Sequence, residues 1–170
     1  MFSRGSIKAE RDAAFTAFVD GATPSLMRTA WLLCGDGEQA QELVQAALVK
    51  TYVAWPRVKE DTALAYARRV LVNHRTDSWR RTRRELTFGD VPEQPADPDV
   101  RPDDRDTIVR LLGRLPEQQR TVVVLRYYNA LSERAVADLL GISVGAVKSA
   151  ASRGLASLRT QHASTEGGLR

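Results

Sequence analysis

The spacing of Ala137, Gly141 and Val147 constrains this chain more than any other feature it carries. In SERAVADLLG, Ser132 is placed to cap a helix ending at Leu140, and Gly141 to take the left-handed turn that a side chain resists. Ser143 then caps a second helix. Ala137 is small enough to let the two helices approach, and Val147 is a branched apolar residue that locks the second onto the first. Val136, Leu140, Ile142 and Leu155 supply the rest of the apolar face. The expected unit is a helix-turn-helix between about Leu131 and Arg153. Its second helix turns Lys148, Ser149, Ser152 and Arg153 outward, within reach of phosphates or base edges in a major groove. A plain helical hairpin with a solvated basic face is the competing reading of the same residues.

The rest of the chain reads as helix too, so the expected fold class is all-α. Apolar residues recur at three- and four-residue spacing, and Gly or Pro punctuates the gaps. The pattern predicts a helix over Glu10 to Asp20 that buries Ala14, Phe15 and Phe18. A second opens at Thr23-Pro24, with the threonine as cap and the proline where its missing N–H does no harm, and stops at Gly35. A third runs from Glu38 to Trp55, with Leu43, Ala47 and Val53 on one side, and Pro56 ends it. The fourth, Thr62 to Arg84, has Leu64, Ala67, Val70 and Leu71 as its apolar face. Shorter helices follow over Arg105 to Gly113 and Pro116 to Tyr128. Between the fourth helix and Arg105, TFGDVPEQPADPDVRPDD is rich in Pro and Asp and lacks helical periodicity, which marks an extended acidic linker. The organisation expected is therefore two small helical domains: residues 1–85, a linker at 86–104, a helix-turn-helix domain at 105–160, and a frayed tail at 161–170.

The fourth helix carries a second nucleic-acid signal. Arg68, Arg69, Arg75, Arg80, Arg81, Arg83 and Arg84 crowd it, while acidic partners at neutralising spacing are nearly absent, Asp77 being the main exception. Tyr66, Asn73, His74 and Trp79 are interleaved with them. Cations for phosphates, rings for unstacked bases and an amide for a base edge are what single-stranded DNA binding uses. Tyr66 and Trp79 serve equally well as core residues on the sequence alone. The net charge of +4 agrees with a polyanionic partner.

Other classes find little support. The histidines, His74 and His162, fall in different modules with no second ligand at metal spacing, and no phosphate loop or nucleophile arrangement is present. No catalytic residue, metal or cofactor is expected. The single cysteine, Cys34, cannot form an internal disulfide and reads as a buried small hydrophobe. With no secretory signal or membrane-length apolar run, a cytoplasmic protein without membrane insertion is expected.

Two DNA-binding helical modules in this order resemble the extracytoplasmic-function (ECF) sigma factors, small two-domain promoter-specificity subunits of bacterial RNA polymerase. The resemblance spans nearly the whole chain, and the Trp79-Arg80-Arg81 run is similar to actinobacterial members of the sigma-E-like group. AQELVQAALVKTYVAW resembles the helix that docks on core polymerase, which implies that role for Glu42, Leu43 and Gln45; Ala46 stands where an acidic residue is common. YARRVLVNHRTDSWRRTRRE is similar to the segment that opens the promoter. The resemblance implies that Asn73 contacts a flipped-out base, that Arg69, Arg80 and Arg81 engage the backbone, and that the loop Pro56 to Ala63 helps form the base pocket. Lys148, Ser149, Ser152 and Arg153 fall on the positions that read the upstream element, and Ala150 and Ser152 are smaller than the side chains often found there.

A length comparison supports two separately seated modules. Roughly 18 linker residues at about 3.3 Å each reach about 60 Å, and elements about 17 base pairs apart at about 3.4 Å each lie a similar distance from one another. The acidic linker, with Asp90, Glu93, Asp97, Asp99, Asp103 and Asp104, is expected to imitate nucleic acid in the polymerase's positive channel. The resemblance implies core RNA polymerase and promoter DNA as partners, an anti-sigma factor as a regulator, and a monomer when free. Two other readings stand beside it: a stand-alone helix-turn-helix regulator and a nucleic-acid-processing enzyme.

Overall fold

The computed structural model describes residues 4–86 and 104–167; the acidic linker and the side chains of Trp79, Thr82, Arg83, Glu85 and Leu86 lie outside the described residues. The first module is three helices, α1 (Arg4–Cys34), α2 (Gly37–Ala54) and α3 (Ala63–Leu86), with two 3-10 turns at Trp55–Arg57 and Glu60–Thr62. The second is α4 (Asp104–Gly113), α5 (Glu117–Val123) continued by a π-helical turn over Val124–Tyr128, α6 (Glu133–Leu140) and α7 (Val144–Gly167). No strand occurs among the described residues, and the fold is all-α as expected. No single helix among them is long and apolar enough to cross a membrane.

Helix α1 corrects the expected break at Thr23-Pro24. Pro24 lies inside one continuous helix, and Thr23 is no cap: its hydroxyl donates back to the Val19 carbonyl at 2.6 Å. A proline there removes one ladder hydrogen bond and crowds the Asp20 carbonyl, at a cost of about 3 kcal/mol. Asp20, Gly21 and Pro24 are exposed, so water reaches the freed carbonyl. Just beyond, Leu26, Ala30 and Leu33 are fully buried, and two leucines at about 1.5–3 kcal/mol each offset the proline.

The same helix turns inward two of the three residues expected to be buried. Phe15 and Phe18 pack on Trp55 with ring centroids 5.1 Å away in each case, and Phe15 also meets Tyr52 at 4.9 Å. Ala14 is exposed, because it lies one residue, about 100°, round from Phe15. In α2, Asp36 caps the N-terminus by accepting from the Gln39 amide at 2.8 Å, and Ala40, Leu43, Val44 and Ala47 enter the core. Val53 does not join them and is 77% exposed, since six residues beyond Ala47 is about 240° of helical turn.

The two modules are packed together around one continuous core, in which Leu26, Leu33 and Leu71 are continuous with Leu112, Leu115, Val122 and Leu125. Polar bonds cross the boundary as well. Arg120 Nη1 donates to the Leu33 carbonyl at 2.9 Å, Asn129 Nδ2 donates to the Thr29 hydroxyl at 3.0 Å, and Arg75 meets Glu117 at 3.3 Å. The chain after Thr160, expected to fray, continues as helix to Gly167, with side-chain hydroxyls of Ser164 and Thr165 bonded to the preceding turn.

Candidate nucleic-acid interface

The helix-turn-helix is built as its spacing dictates. Ser132 accepts the Ala135 amide at 3.0 Å to start α6, and Ser143 accepts the Ala146 amide at 3.0 Å to start α7. Between them Gly141 adopts φ 66° and ψ 35°, the left-handed geometry that costs an L-residue about 1–2 kcal/mol. Val136, Ala137 and Val147 interlock in the core, so the angle between α6 and α7 is set by apolar contact. A third small residue completes the seat: a Cβ on Gly154 would lie 2.7 Å from Val123 Cγ2, so α7 passes α5 at a distance only glycine allows.

With α7 seated on that side, Lys148, Ser149, Ser152 and Arg153 all project into solvent. Ala150 does not belong with them. It is 8% exposed and faces the core, so its small size serves packing, not base reading. A cleft of about 320 Å³ beside the exposed face is lined by Lys148, Ser152, Tyr127, Glu133 and Arg159. Lys148 Nζ sits 3.8 Å from Glu133 Oε2, a mostly exposed pair that positions the ammonium but leaves it free to exchange for a phosphate. Tyr127 and Arg159 were not picked out by sequence reasoning: the fold brings Tyr127 to α7's outer face, whereas Arg159 lies on α7 itself, eleven residues after Lys148 and so about 20° from it around the helix.

On α3, Arg69, Asn73, Arg80 and Arg81 are exposed. Helical spacing puts Tyr66, Arg69, Asn73 and Arg80 within about 60° of one another. Tyr66 also lines a pocket of about 420 Å³ with Ala54, Arg57, Val58, Lys59 and Thr62, in the loop from Pro56 to Ala63. This half-open cavity has a ring, two cations and apolar walls, the chemistry that a splayed base requires. Asn73 stands two turns further along the same face and is not part of the pocket lining.

Not every arginine of this helix belongs to the stripe. Arg75 faces the second module and is neutralised by Glu117, a partner 42 residues away that no local spacing rule finds. Arg68 is half-buried, and desolvation holds its pKa below the usual value, offset by Tyr128. His74 accepts from Lys50 Nζ through Nδ1 at 3.4 Å; burial, then Lys50 and Arg81, hold its pKa below 6.5, so it is neutral at pH 7.

The expected polymerase-docking residues separate. Glu42 and Gln45 are exposed, whereas Leu43 is 5% exposed and packs inward, which leaves it as a prop for α2. Gln45 borders an apolar groove of about 440 Å³ formed by Phe15, Val19, Met27, Leu48, Val49 and Tyr52. Glu42 borders a different, smaller cleft with Cys34, His74 and Arg75. Cys34 is buried as expected, and desolvation raises its thiol pKa. Among the described residues no cluster of His, Cys, Asp or Glu is placed to hold a metal ion.

Comparison with known proteins follows the same division into two modules. The family description Sigma-70 region 2 matches residues 18–85, and Sigma-70 region 4 matches residues 105–158. The RNA polymerase sigma-E factor of Streptomyces coelicolor is 39% identical over 150 residues, covering 86% of this chain and 85% of that protein. The ECF RNA polymerase sigma factor SigL of Mycobacterium tuberculosis is 32% identical over 156 residues, covering 85% and 86%. Among solved structures, the sigma factor RpoE of Bartonella quintana, in complex with the anti-sigma factor NepR, shares the fold with a TM-score of 0.67 at 24% identity, over 86% of this chain and 94% of that one. CnrH, in complex with the cytosolic domain of CnrY, does so at 0.63 and 23%, over 90% of each. With both modules matched and relatives aligned along most of their length, the chain belongs to the extracytoplasmic-function sigma factors, the DNA-binding initiation factors that direct core RNA polymerase to promoters.

Proposed function

We propose that residues 1–85 dock on core polymerase and melt the downstream promoter element, that residues 105–160 anchor the upstream element, and that 86–104 spans between them, with 161–170 a tail beyond the DNA-reading part. The observation that carries this assignment is the presence of two exposed cationic faces on different modules: Arg69, Asn73, Arg80 and Arg81 on α3, and Lys148, Ser149, Ser152 and Arg153 on α7. Asn73 reads a base of the opened strand, and the pocket at Tyr66, Arg57 and Lys59 receives the base that leaves the stack. The arginines of α3 hold the backbone. On α7, Arg153 and Lys148 supply direct contacts, while the short Ser149 and Ser152 let the helix approach the groove closely.

Core polymerase docks on the outer face of α2, where Gln45 borders the apolar groove that exposed Val49 lines, and exposed Glu42 and Val53 stand outside it on the same helix. Leu43 contributes by holding α2 in place. The chain performs no covalent chemistry itself; polymerase makes the RNA. It acts in the cytoplasm as a monomer, since one copy supplies both DNA contacts, and an anti-sigma factor that masks the polymerase-facing groove is its natural antagonist. Footprinting with core polymerase on one responsive promoter tests the assignment. Arg153→Ala should lose upstream protection, at about 1–3 kcal/mol, and Asn73→Ala should keep both protected segments while losing permanganate-reactive thymines. Protection of both segments and full opening in both variants would remove these residues from the interface.

A further inference from the structure

Of the side chains that line the cleft beside the outer face of α7, Lys148, Ser152 and Arg159 suit a polyanion, and Glu133 does not. Glu133 is the one carboxylate among the described residues of that lining, and it opens α6 immediately after the Ser132 cap. Its two oxygens have separate partners. Oε1 lies 3.8 Å from Arg126 Nη2, and Oε2 lies 3.8 Å from Lys148 Nζ. Arg126 is itself held, because its Nη1 donates to the Leu131 carbonyl and its guanidinium stands 5.8 Å from the centre of the Tyr127 ring. The carboxylate is therefore fixed from the side of the fold and turns its second oxygen to the recognition helix.

This placement differs from that of the other ion pair on α6. Arg134 and Asp138 lie 3.3 Å apart with side chains 79% and 59% exposed, a pair one turn apart that keeps the helix surface soluble. A pair as exposed as Glu133 and Lys148 adds little to stability either. Its effect lies in what Lys148 then reaches. An ammonium has three donors, so on a matching base pair Lys148 keeps Glu133 on one side and meets the N7 and O6 acceptors of a guanine on the other. On a mismatched pair only a phosphate remains. Reaching it separates Lys148 from Glu133 and brings a second anion toward a carboxylate that Arg126 holds in place. Repulsion in the wrong complex raises discrimination without any added contact in the right one.

We propose that Glu133 is a positioning residue for upstream-element recognition: it holds the Lys148 ammonium toward a guanine edge and opposes its transfer to the DNA backbone. This role rests on α7 being the DNA-contacting helix. Holoenzyme assembled from core polymerase and the full chain, bound to a duplex library randomised across the upstream element of one responsive promoter, tests it. Bound and input pools are sequenced, and the best-bound duplex is titrated with salt. Lys148→Ala should abolish a guanine preference at one position and leave the salt slope unchanged, because Glu133 already neutralises the ammonium. Glu133→Gln, which keeps the side chain's size, should weaken the same preference about two- to fivefold and steepen the salt slope by about 1. Preferences elsewhere in the element should stay as they are. In the Lys148→Ala background, Glu133→Gln should change nothing further.

A Glu133→Gln holoenzyme with the wild-type base profile overturns the role. So does an altered profile that persists without Lys148, which would make Glu133 a base reader or a structural prop. Should Glu133→Gln fail to fold by circular dichroism, the Lys148→Ala salt slope decides: one shallower by about 1 places Lys148 on a phosphate and overturns the role equally. Failure of the underlying DNA reading looks different. If Lys148→Ala keeps every base preference of the wild type, Lys148 reads no base, and its own assignment falls together with the role of Glu133.

Discussion

Replacing Gly154 by Ala decides whether the recognition helix is held by close approach or merely by its caps. Alanine is the better helix former, so on propensity alone the change should stabilise α7 by up to about 1 kcal/mol. Against this, the new Cβ would stand 2.7 Å from Val123 Cγ2 and 3.6 Å from both Gln119 Cβ and the Gln119 carbonyl. Val123 has little room to yield, because it is β-branched and buried beside Val122, Val124 and Leu125. Overpacking of this kind costs about 1–3 kcal/mol. The net expectation is a loss of about 1 kcal/mol, or a fall of about 2–4 °C in melting temperature for a chain of this size.

A double-mutant cycle read by thermal unfolding isolates the cause. With Val123→Ala already in place the offending methyl is gone, so Gly154→Ala should become neutral or stabilising, and the two substitutions should couple by about 1 kcal/mol or more. The functional counterpart is upstream-element binding, which should weaken in the single variant as α7 shifts on α5 and recover in the double. A Gly154→Ala variant that costs the same with and without Val123→Ala would refute the argument.

Three further outcomes follow from local geometry. Ser143→Ala removes the acceptor for the Ala146 amide and should destabilise by about 1 kcal/mol, with upstream binding weakened because the lost cap lies beside the DNA-facing turn; chemical denaturation and binding titrations measure the two effects. Ala130 has φ 53°, left-handed without being glycine, so Ala130→Gly should raise stability by up to about 1 kcal/mol in the same denaturation assay. His74, held below its ordinary pKa of 6.5 by burial, Lys50 and Arg81, binds fewer protons folded than unfolded. Its contribution is therefore present above pH 6.5 and lost as pH falls below it, and His74→Gln should flatten the stability profile in that window.

Features whose determinants lie within one or two helical turns were legible before any coordinates. The caps at Ser132 and Ser143, the left-handed Gly141 and the inward Val147 are of this kind, and the exposed positions on α7 follow from them. Long-range burial decided the rest. Pro24 reads locally as a helix start, yet Leu26 and Leu33 in the core carry the helix through it. Leu43 and Ala150 share segments with exposed candidate positions but face inward, which only the packing partners of α2 and α7 reveal. The arginine run reads as one uncompensated stripe, and the fold divides it by bringing Glu117 to Arg75. The close approach at Gly154 and the π turn ending near Ala130 likewise depend on residues distant in sequence or on backbone geometry that no motif encodes.

Transcription in vitro from a genomic DNA library, with core polymerase and with this chain present or omitted, tests the account's central claim most directly. The predicted result is a set of start sites that arise only with the chain, each preceded by two shared sequence elements separated by about 60 Å of duplex, and that disappear with Asn73→Ala. Identical start sites with and without the chain, under conditions where it is folded and bound to core polymerase, would contradict the claim.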